Sequence, residues 1–452
     1  MRGTPLQIAS FRGGHHGGRR SVPHDFASCP LPQYPSRTGA PRRRRISPVA
    51  DNTNAGFDSP RAWFVVIGAF VGAFVAFGVT YCFGVFLKPM AREFGASHAA
   101  MSSLFSTLTV LSFFLAPLTG ELADRHGPRA VAAAGAILMG AGLLVSARVR
   151  YFPLLFLTYG CGVGASVACT YIPAIAAVGE WFKLRRDIAL GVAISGIGCG
   201  TLVAAPLSGI LIQRYGWRGA FEIFGWIGAA LLLLCTALLA RPPIAGEKKK
   251  VDLKTKCRSA AFGYLYISLL FSGIAIYVSF VFLPAYASDI GSSRVAAATL
   301  VGYVGAASVL GRLGLNALAP RFGLLTMFQL SYLLLLASFG VWLTAHSYTS
   351  LVAFTLAMGI GYGGIAAMAP AVTASIYGIE GLGELLGILF TGFGVACLLG
   401  PPMAGVLVDH THDYKSAVFV AAIAAAAALV LVIPLRSHWS ILAEKKSAVA
   451  AD

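Results

Sequence analysis

The sequence predicts an all-α membrane protein with twelve transmembrane helices in two pseudo-symmetric six-helix bundles. Three observations predict this fold class. The composition is 57% hydrophobic and only 12% charged, whereas soluble domains carry roughly 25% charged residues. The apolar residues fall into twelve stretches, each long enough to cross a hydrocarbon core of ~30 Å as a helix. The two halves of the chain also align at a single offset of 196 residues.

The twelve stretches follow a basic segment at residues 1–60. That segment is rich in Arg, Gly, Pro and Ser and lacks the apolar core of a secretory signal, so we predict a disordered basic N-terminal tail. A targeting segment and a start codon placed too far upstream stay open as alternatives. The predicted spans are 62–86, 98–122, 129–148, 152–178, 187–212, 219–240, 259–287, 295–318, 322–345, 350–377, 383–408 and 415–436.

The longest polar break between spans divides them six and six. We predict an N-terminal six-helix bundle over residues 61–240, a cytoplasmic basic linker over 241–258, a C-terminal six-helix bundle over 259–436 and a cytoplasmic C-terminal tail over 437–452. With the N-terminus inside, the inner segments carry twice as many Lys and Arg residues as the outer loops. This bias predicts that both termini are cytoplasmic, in a bacterial inner membrane or another plasma membrane.

The internal repeat predicts where a substrate would bind. Phe86 matches Phe282 and Arg125 matches Arg321 at the same offset, and several glycines and prolines match as well. Six helices in each half make this a parallel repeat about an axis along the membrane normal. Such repeats place a substrate site near the bilayer midplane, between the halves, and work by alternating access.

Composition and motif content exclude several other classes of protein. The net charge of +17 sits mainly in the N-terminal segment and in short loops, where basic residues determine topology and do not indicate nucleic acid. The eight cysteines and nine histidines show no metal-ligand spacing and no catalytic pattern. We predict no enzyme activity, no cofactor and no metal. The expected partners are the lipid bilayer and a small organic anion, with or without protons, and the expected functional unit is a monomer.

The segment GELADRHGPR between the second and third spans resembles the loop signature of the major facilitator superfamily. The resemblance implies a conformational latch that breaks and reforms as the helices rock. An acid at a helix end can pair with a neighbouring Arg and meet backbone amides, and a small residue permits close helix contact. The predicted latch residues are Gly120, Asp124, Arg125, Gly127 and Arg129.

A narrower resemblance covers nearly the whole membrane part. EWFKLRRDIALGVAISGIGCG at Glu180–Gly200 is similar to the signature of the monocarboxylate transporter family at the junction of its fourth and fifth helices. VIGAF at Val66–Phe70, GWRGAF at Gly216–Phe221 and LLGPPMAG at Leu398–Gly405 also resemble that family. The resemblance implies a carrier of small monocarboxylates.

Arg312 is the main candidate for binding substrate. It lies inside the eighth predicted span, about seven residues from its cytoplasmic end, which places it about 10 Å deep. An Arg at that depth should face a polar cavity or a partner. In the resembled family an Arg at this place holds the substrate carboxylate, and the resemblance implies that role for Arg312. A snorkelling Arg or a structural ion pair is the alternative.

Two positions depart from the family pattern. Ser308 stands where the family often has an Asp, four residues before the Arg. Tyr81 stands where animal members carry a Lys linked to substrate. Both titratable partners are missing, which puts proton coupling and lactate specificity in doubt and fits a microbial branch of the family.

Other residues in the apolar spans are weaker candidates. Tyr81 and Tyr171 have hydroxyls that could donate to a carboxylate, and Thr170 and Tyr362 are similar candidates. Asp289 and Glu384 are candidate proton sites, each near a span end.

These observations predict a secondary active transporter that moves a monocarboxylate of the lactate or pyruvate type, driven by a proton or by exchange. The alternatives are an anion exchanger of the oxalate–formate type or an exporter of another organic acid. A transporter-like membrane sensor is the alternative from another class.

Overall fold

The structure is a computed structural model that describes residues 58–182, 185–240, 253–378 and 381–436. The predictions for the tail at 1–60, the linker at 241–258 and the tail at 437–452 lie wholly or mostly outside these residues. We number the helices that could cross a membrane in chain order as α1 (Pro60–Phe94), α2 (His98–Phe114 followed by Ala116–His126), α3 (Pro128–Ser146), α4 (Phe152–Trp181), α5 (186–215), α6 (217–238), α7 (Ala260–Asp289), α8 (Arg294–Phe322), α9 (Leu324–Leu343), α10 (Tyr348–Tyr377), α11 (Leu382–Thr411) and α12 (Lys415–Val432).

The helices α5 and α6 form one run of 53 residues that Gly216 divides into two spans. A straight helix of that length would extend ~80 Å, far beyond a hydrocarbon core of ~30 Å. Gly216 has φ 72° and ψ 174°, a conformation open almost only to glycine, and the chain turns back there. Ten helices in the described part are long and apolar enough to cross a membrane, and the bent pair in α2 makes an eleventh. Counting this run as two gives twelve, consistent with the prediction.

The helix α1 extends further than the predicted span 62–86. It continues through a polar stretch to Phe94 and ends where Gly95 adopts a left-handed conformation with φ 60°. The extension persists because Leu87 and Met90 still bury their side chains against neighbouring helices. Apolar length alone therefore underestimated this helix.

Two helices contain π-helical segments that the sequence did not predict. Phe156–Val163 forms one in α4, and Gly311–Leu315 forms the other in α8. A π-helical turn widens the helix by about one residue, and such turns are frequent at functional sites. The second segment contains Arg312.

The internal repeat is visible in the helix packing. Gly196 of α5 lies against the backbone of Phe70 in α1, and Gly392 of α11 lies against the backbone of Tyr266 in α7. Each member of the second pair follows its counterpart by the same 196 residues. The matching glycine contacts show that the two halves pack their helices in the same way.

The two halves meet along two equivalent helix pairs. Gly209 of α5 packs on Val295 of α8, and Gly405 of α11 packs on Ala99 of α2. These contacts are again related by 196 residues. Small residues at such crossings let helix backbones approach closely and slide past one another.

The bundle has two ends, which we name by residues they carry. The Lys88 end carries Lys88, His98, Asp289 and Asp409, and polar contacts there join one half to the other. The Arg129 end lies opposite. Among the described residues, the polar contacts identified there stay within one half, as when Arg129 Nε donates to the carbonyl of Leu239. The structure is therefore held closed at the Lys88 end.

Candidate functional site

Arg312 is a buried cation whose guanidinium is only partly hydrogen-bonded. The residue is 5% exposed. Its Nη1 donates to the Ser308 hydroxyl at 3.2 Å, and that hydroxyl donates to the carbonyl of Gly305 at 2.7 Å. The Nε and Nη2 atoms are buried and have no hydrogen-bond partner within the described residues. An uncompensated buried guanidinium is energetically costly, so Arg312 is a candidate functional residue.

Aromatic side chains from three other helices surround this guanidinium. The Tyr362 ring of α10 lies beneath it, with the guanidinium carbon 5.3 Å from the ring centre. The Tyr362 and Tyr81 hydroxyls are 3.3 Å apart, so they bridge the two halves. The Tyr81 ring stacks on Phe280 of α7 with centres 4.2 Å apart. The fold therefore brings three residues into one cluster although up to 281 residues separate them along the chain: Tyr81, Arg312 and Tyr362.

Tyr171 reaches the same cluster from α4. Its ring packs edge-on against Phe77 at 4.8 Å, and Phe77 packs on Tyr81 at 5.4 Å. The Tyr171 phenol also lies within electrostatic range of Arg312. Three of the four predicted hydroxyl-bearing residues, Tyr81, Tyr171 and Tyr362, thus belong to one aromatic cluster that contacts Arg312 through Tyr362.

Thr170 does not join this cluster, which corrects the prediction for it. Its hydroxyl donates to the carbonyl of Ser166 in its own helix at 2.8 Å. Its methyl group points toward Gly135 of α3. The hydroxyl is satisfied locally and the side chain turns away from Arg312.

Tyr277 belongs to the cluster but was missed from the sequence. It is 3% exposed and interacts with Tyr81 and Tyr362. Tyr277 stands 196 residues after Tyr81, so it is the counterpart of Tyr81 in the second half. The repeat offset was the signal that could have found it.

Asp289 and Glu384 lie far from Arg312. Asp289 forms an ion pair with Lys88 at the Lys88 end, and its side chain is 53% exposed. Glu384 is an exposed residue in the first turn of α11, at the Arg129 end. Neither carboxylate contacts the guanidinium, so a direct role for them beside a substrate at Arg312 is not supported.

A group of hydrogen bonds around Asp409 joins the two halves at the Lys88 end. The Asp409 carboxylate accepts from the backbone N–H groups of His98 and Ala99, each at 2.9 Å, at the start of α2. The same carboxylate contacts His98 Nδ1 at 2.8 Å, and His98 Nε2 contacts the Tyr414 hydroxyl at 2.7 Å. A carboxylate at a helix N-terminus is stabilised by unpaired N–H groups and by the helix dipole. We name Asp409, His98, Ala99 and Tyr414 the Asp409 cluster.

We expect Asp409→Asn to weaken closure at the Lys88 end. The amide removes the negative charge and replaces one acceptor oxygen by a donor that faces backbone N–H groups. Charge-assisted hydrogen bonds contribute about 1.5–3 kcal/mol, so the closed population should fall roughly ten-fold relative to the open one. Distances between spin labels at the Lys88 end, one label in each half, measure this population.

Asp413→Asn is the matched control for that variant. Asp413 is exposed, and its Oδ1 accepts only from the Lys415 N–H in its own turn among the described contacts. We expect the spin-label distance distribution of Asp413→Asn to match that of the unmodified protein. Equal distributions for both variants would show that the Asp409 cluster does not hold the halves together.

The signature loop lies at the Arg129 end and differs in part from its prediction. Arg125 forms an ion pair with Glu121, one helical turn earlier. Asp124 also has an interaction partner, and its predicted pairing with a neighbouring Arg stays a prediction. Gly127 ends the helix with φ 92°, as Gly323 does in the second half with φ 91°. A Cβ at Gly120 would meet no heavy atom within 4 Å, so the predicted close contact is absent in this conformation.

Comparisons with known proteins agree with the fold. A family model described as the Major Facilitator Superfamily matches residues 69–342 and 265–448. Monocarboxylate transporter 3 of Rattus norvegicus is 30% identical over 405 residues, which cover 85% of this chain and 79% of that protein. Monocarboxylate transporter 12 of Xenopus laevis is 28% identical over 394 residues, with 80% and 85% covered.

A solved structure shows the same helical architecture. It is a bacterial homologue of the human lysosomal transporter Spinster, in an inward-facing and occupied conformation. It has a TM-score of 0.68 at 16% identity and covers 85% of this chain and 97% of that chain. Similarity at that identity concerns the fold alone, and it confirms the predicted fold class. The chain therefore belongs to the major facilitator superfamily and, within it, is monocarboxylate transporter-like, an integral multi-pass membrane protein and not an enzyme.

Proposed function

We propose that this secondary transporter moves a small monocarboxylate of the lactate or pyruvate type by alternating access, with Arg312 holding the carboxylate. One observation carries the proposal. Arg312 Nε and Nη2 are both buried without a partner in the described part of the chain. These two donors form one edge of the planar guanidinium, and their spacing matches the two oxygens of a carboxylate.

The aromatic cluster favours a short substrate. The Tyr362 ring lies against the guanidinium, and Tyr81, which contacts Tyr362, stacks on Phe280. We infer that these large rings restrict the length of a substrate bound there. Their faces are apolar and suit a methyl group, whereas the Tyr81 and Tyr362 hydroxyls can donate to a carboxylate or to a hydroxyl or keto oxygen. A two- or three-carbon acid has both features.

The asymmetry of the half-to-half contacts supports alternating access. The Asp409 cluster and the Lys88–Asp289 ion pair join the halves at one end. We assign the Arg129 end to the cytoplasm, because the segments at that end carry most of the Lys and Arg residues outside the N-terminal tail. With that assignment both termini are cytoplasmic, and the present conformation is closed toward the outside.

Uptake of a labelled panel into proteoliposomes tests the proposed function. The panel pairs pyruvate and lactate with their amides, which have the same shape without the charge, and adds acetate, formate and oxalate. We expect uptake of the monocarboxylates and an uptake of the amides at least about 100-fold slower, because the amide lacks the negative charge, keeps only one acceptor oxygen and turns an N–H donor toward a guanidinium donor.

The panel also separates the alternatives. Preferential transport of oxalate would favour an exchanger of the oxalate–formate type. Equal transport of an acid and its amide would contradict a carboxylate site. Liposomes that contain Arg321→Gln protein serve as a matched control, because Arg321 is an exposed Arg at the end of the same helix. Their uptake should equal that of the unmodified protein.

A further inference from the structure

The charge of the Arg312 site depends on its occupant. The acids whose side chains the structure describes lie near helix ends or breaks, and none of them is hydrogen-bonded to the Arg312 guanidinium: Asp58, Glu93, Glu121, Asp124, Glu180, Glu222, Asp289, Glu384, Asp409 and Asp413. The nearest polar partner of Arg312 is the uncharged Ser308 hydroxyl. An empty site therefore carries one positive charge, and a site that holds a monocarboxylate is neutral.

This difference affects the two reorientation steps unequally. The Tyr81–Tyr362 contact joins the two halves beside Arg312. When the halves rock, we expect the guanidinium to pass through a state in which it is closed off from both sides. A neutral guanidinium–carboxylate pair passes through that closed state at moderate cost. An unpaired guanidinium is enclosed without compensation, and removing one partner of a buried ion pair is strongly unfavourable. The loaded carrier should reorient readily and the empty carrier slowly.

We propose that this carrier works as an exchanger, trading one monocarboxylate anion for another across the membrane without a coupled proton. The inference rests on the proposed function, since it needs a carboxylate at Arg312. In this proposal, Ser308 is the residue that determines exchange without a proton, because its side chain carries no charge. It is 1% exposed, lies one turn before Arg312 and touches Nη1 at 3.2 Å. A carboxylate at this position would neutralise the guanidinium in the empty state and would itself be able to bind a proton.

The tight packing around Ser308 requires a pair of substitutions of equal size. Gly198 of α5 lies so close to Ser308 that a Cβ at Gly198 would be 2.9 Å from the Ser308 hydroxyl, so any larger side chain at position 308 must displace its neighbours. Ser308→Asp places a carboxylate within reach of the guanidinium, and Ser308→Asn has almost the same size without the charge. The pair of variants separates the effect of charge from the effect of volume.

Counterflow into proteoliposomes tests the inference. Labelled pyruvate uptake is measured with unlabelled pyruvate inside and with buffer alone inside, at external pH 7.5 and 6.0. For the unmodified protein we expect exchange to be at least about ten-fold faster than net uptake, because the empty return is limiting. We expect little dependence on external pH. For Ser308→Asp we expect the ratio to fall toward one and net uptake to rise at the lower pH, whereas Ser308→Asn should keep the high ratio.

Each outcome decides the inference. Net uptake as fast as exchange in the unmodified protein overturns the exchange mode and leaves the carboxylate site standing. Net uptake that accelerates at the lower external pH in the unmodified protein also overturns it. Failure of every carboxylate to move in either format overturns the proposed function instead. If Ser308→Asp does not insert into liposomes, the ratio of the unmodified protein still decides.

Discussion

Replacing Arg312 with alanine is expected to reduce monocarboxylate uptake by at least about 100-fold. The Nε and Nη2 donors are lost together, and two charge-assisted hydrogen bonds of about 1.5–3 kcal/mol each correspond to a factor of that size. Arg312→Lys keeps the charge but has no planar two-donor edge, so we expect an intermediate loss of roughly ten-fold. Initial uptake rates in proteoliposomes, normalised to the amount of inserted protein, measure both effects.

Protein integrity must be shown separately, because Arg312 is buried. The Arg312→Ala substitution also removes an uncompensated buried charge. We therefore expect the thermal unfolding temperature of this variant in detergent to equal or exceed that of the unmodified protein. Arg321→Gln supplies the control for the loss of an Arg from the same helix. Uptake by Arg312→Ala at the rate of the unmodified protein would exclude Arg312 from substrate binding.

Gly363→Ala is expected to reduce uptake by roughly ten- to 100-fold without touching the substrate. Gly363 of α10 lies directly against the Ser308 carbonyl of α8, so that a Cβ would collide with backbone atoms. The helices must then separate by some tenths of an ångström or more. That separation moves Tyr362 and Arg312 relative to each other, and a misplacement of ~1 Å in a binding site can cost about 100-fold. The same uptake assay measures the effect.

Gly314→Ala is the matched control for this variant. Gly314 lies two residues after Arg312 in the same π-helical segment, and a Cβ there would meet no heavy atom within 4 Å. We expect its uptake to remain within about two-fold of the unmodified protein, since substitutions that create no contact change little. Equal losses for Gly314→Ala and Gly363→Ala would mean that an added methyl group impairs uptake even where it makes no new contact. The close α8–α10 contact would then not be the cause.

Features that depend on the energetics of a single residue or on a simple period could be predicted from the sequence. The twelve helices follow from apolar stretches that match bilayer thickness. Arg312 stood out because a lone cation in an apolar stretch is costly unless it has a function. The repeat at 196 residues correctly related the two halves, and the contacts of Gly196 and Gly392 reproduce it.

Features that depend on the direction of a side chain could not be predicted from spacing along the chain. Thr170 and Tyr171 are neighbours on a helix, and successive residues point about 100° apart. One of them can face Arg312 only if the other faces elsewhere, and Thr170 packs toward α3. The same geometry explains why Arg125 pairs with Glu121, one turn away, as residues four apart share a face.

The closure at the Lys88 end could not be predicted for a different reason. The Asp409 cluster unites residues that are more than 300 positions apart, from the first half and the second half. No local pattern connects such residues, and we expect the contact in only one of the conformations of an alternating-access carrier. The same sequence must be compatible with all of these conformations, whereas the structure represents one of them.

The most direct test of the central claim is an experimental structure with the best transported carboxylate of the panel bound. We expect its two carboxylate oxygens to lie about 2.7–2.9 Å from Arg312 Nε and Nη2, side by side in the plane of the guanidinium. Arg312 Nη1 should remain hydrogen-bonded to the Ser308 hydroxyl, and the hydroxyl of Tyr81 or Tyr362 should contact the same ligand. A carboxylate bound elsewhere, or a guanidinium paired with a protein acid while ligand is present, would contradict the claim.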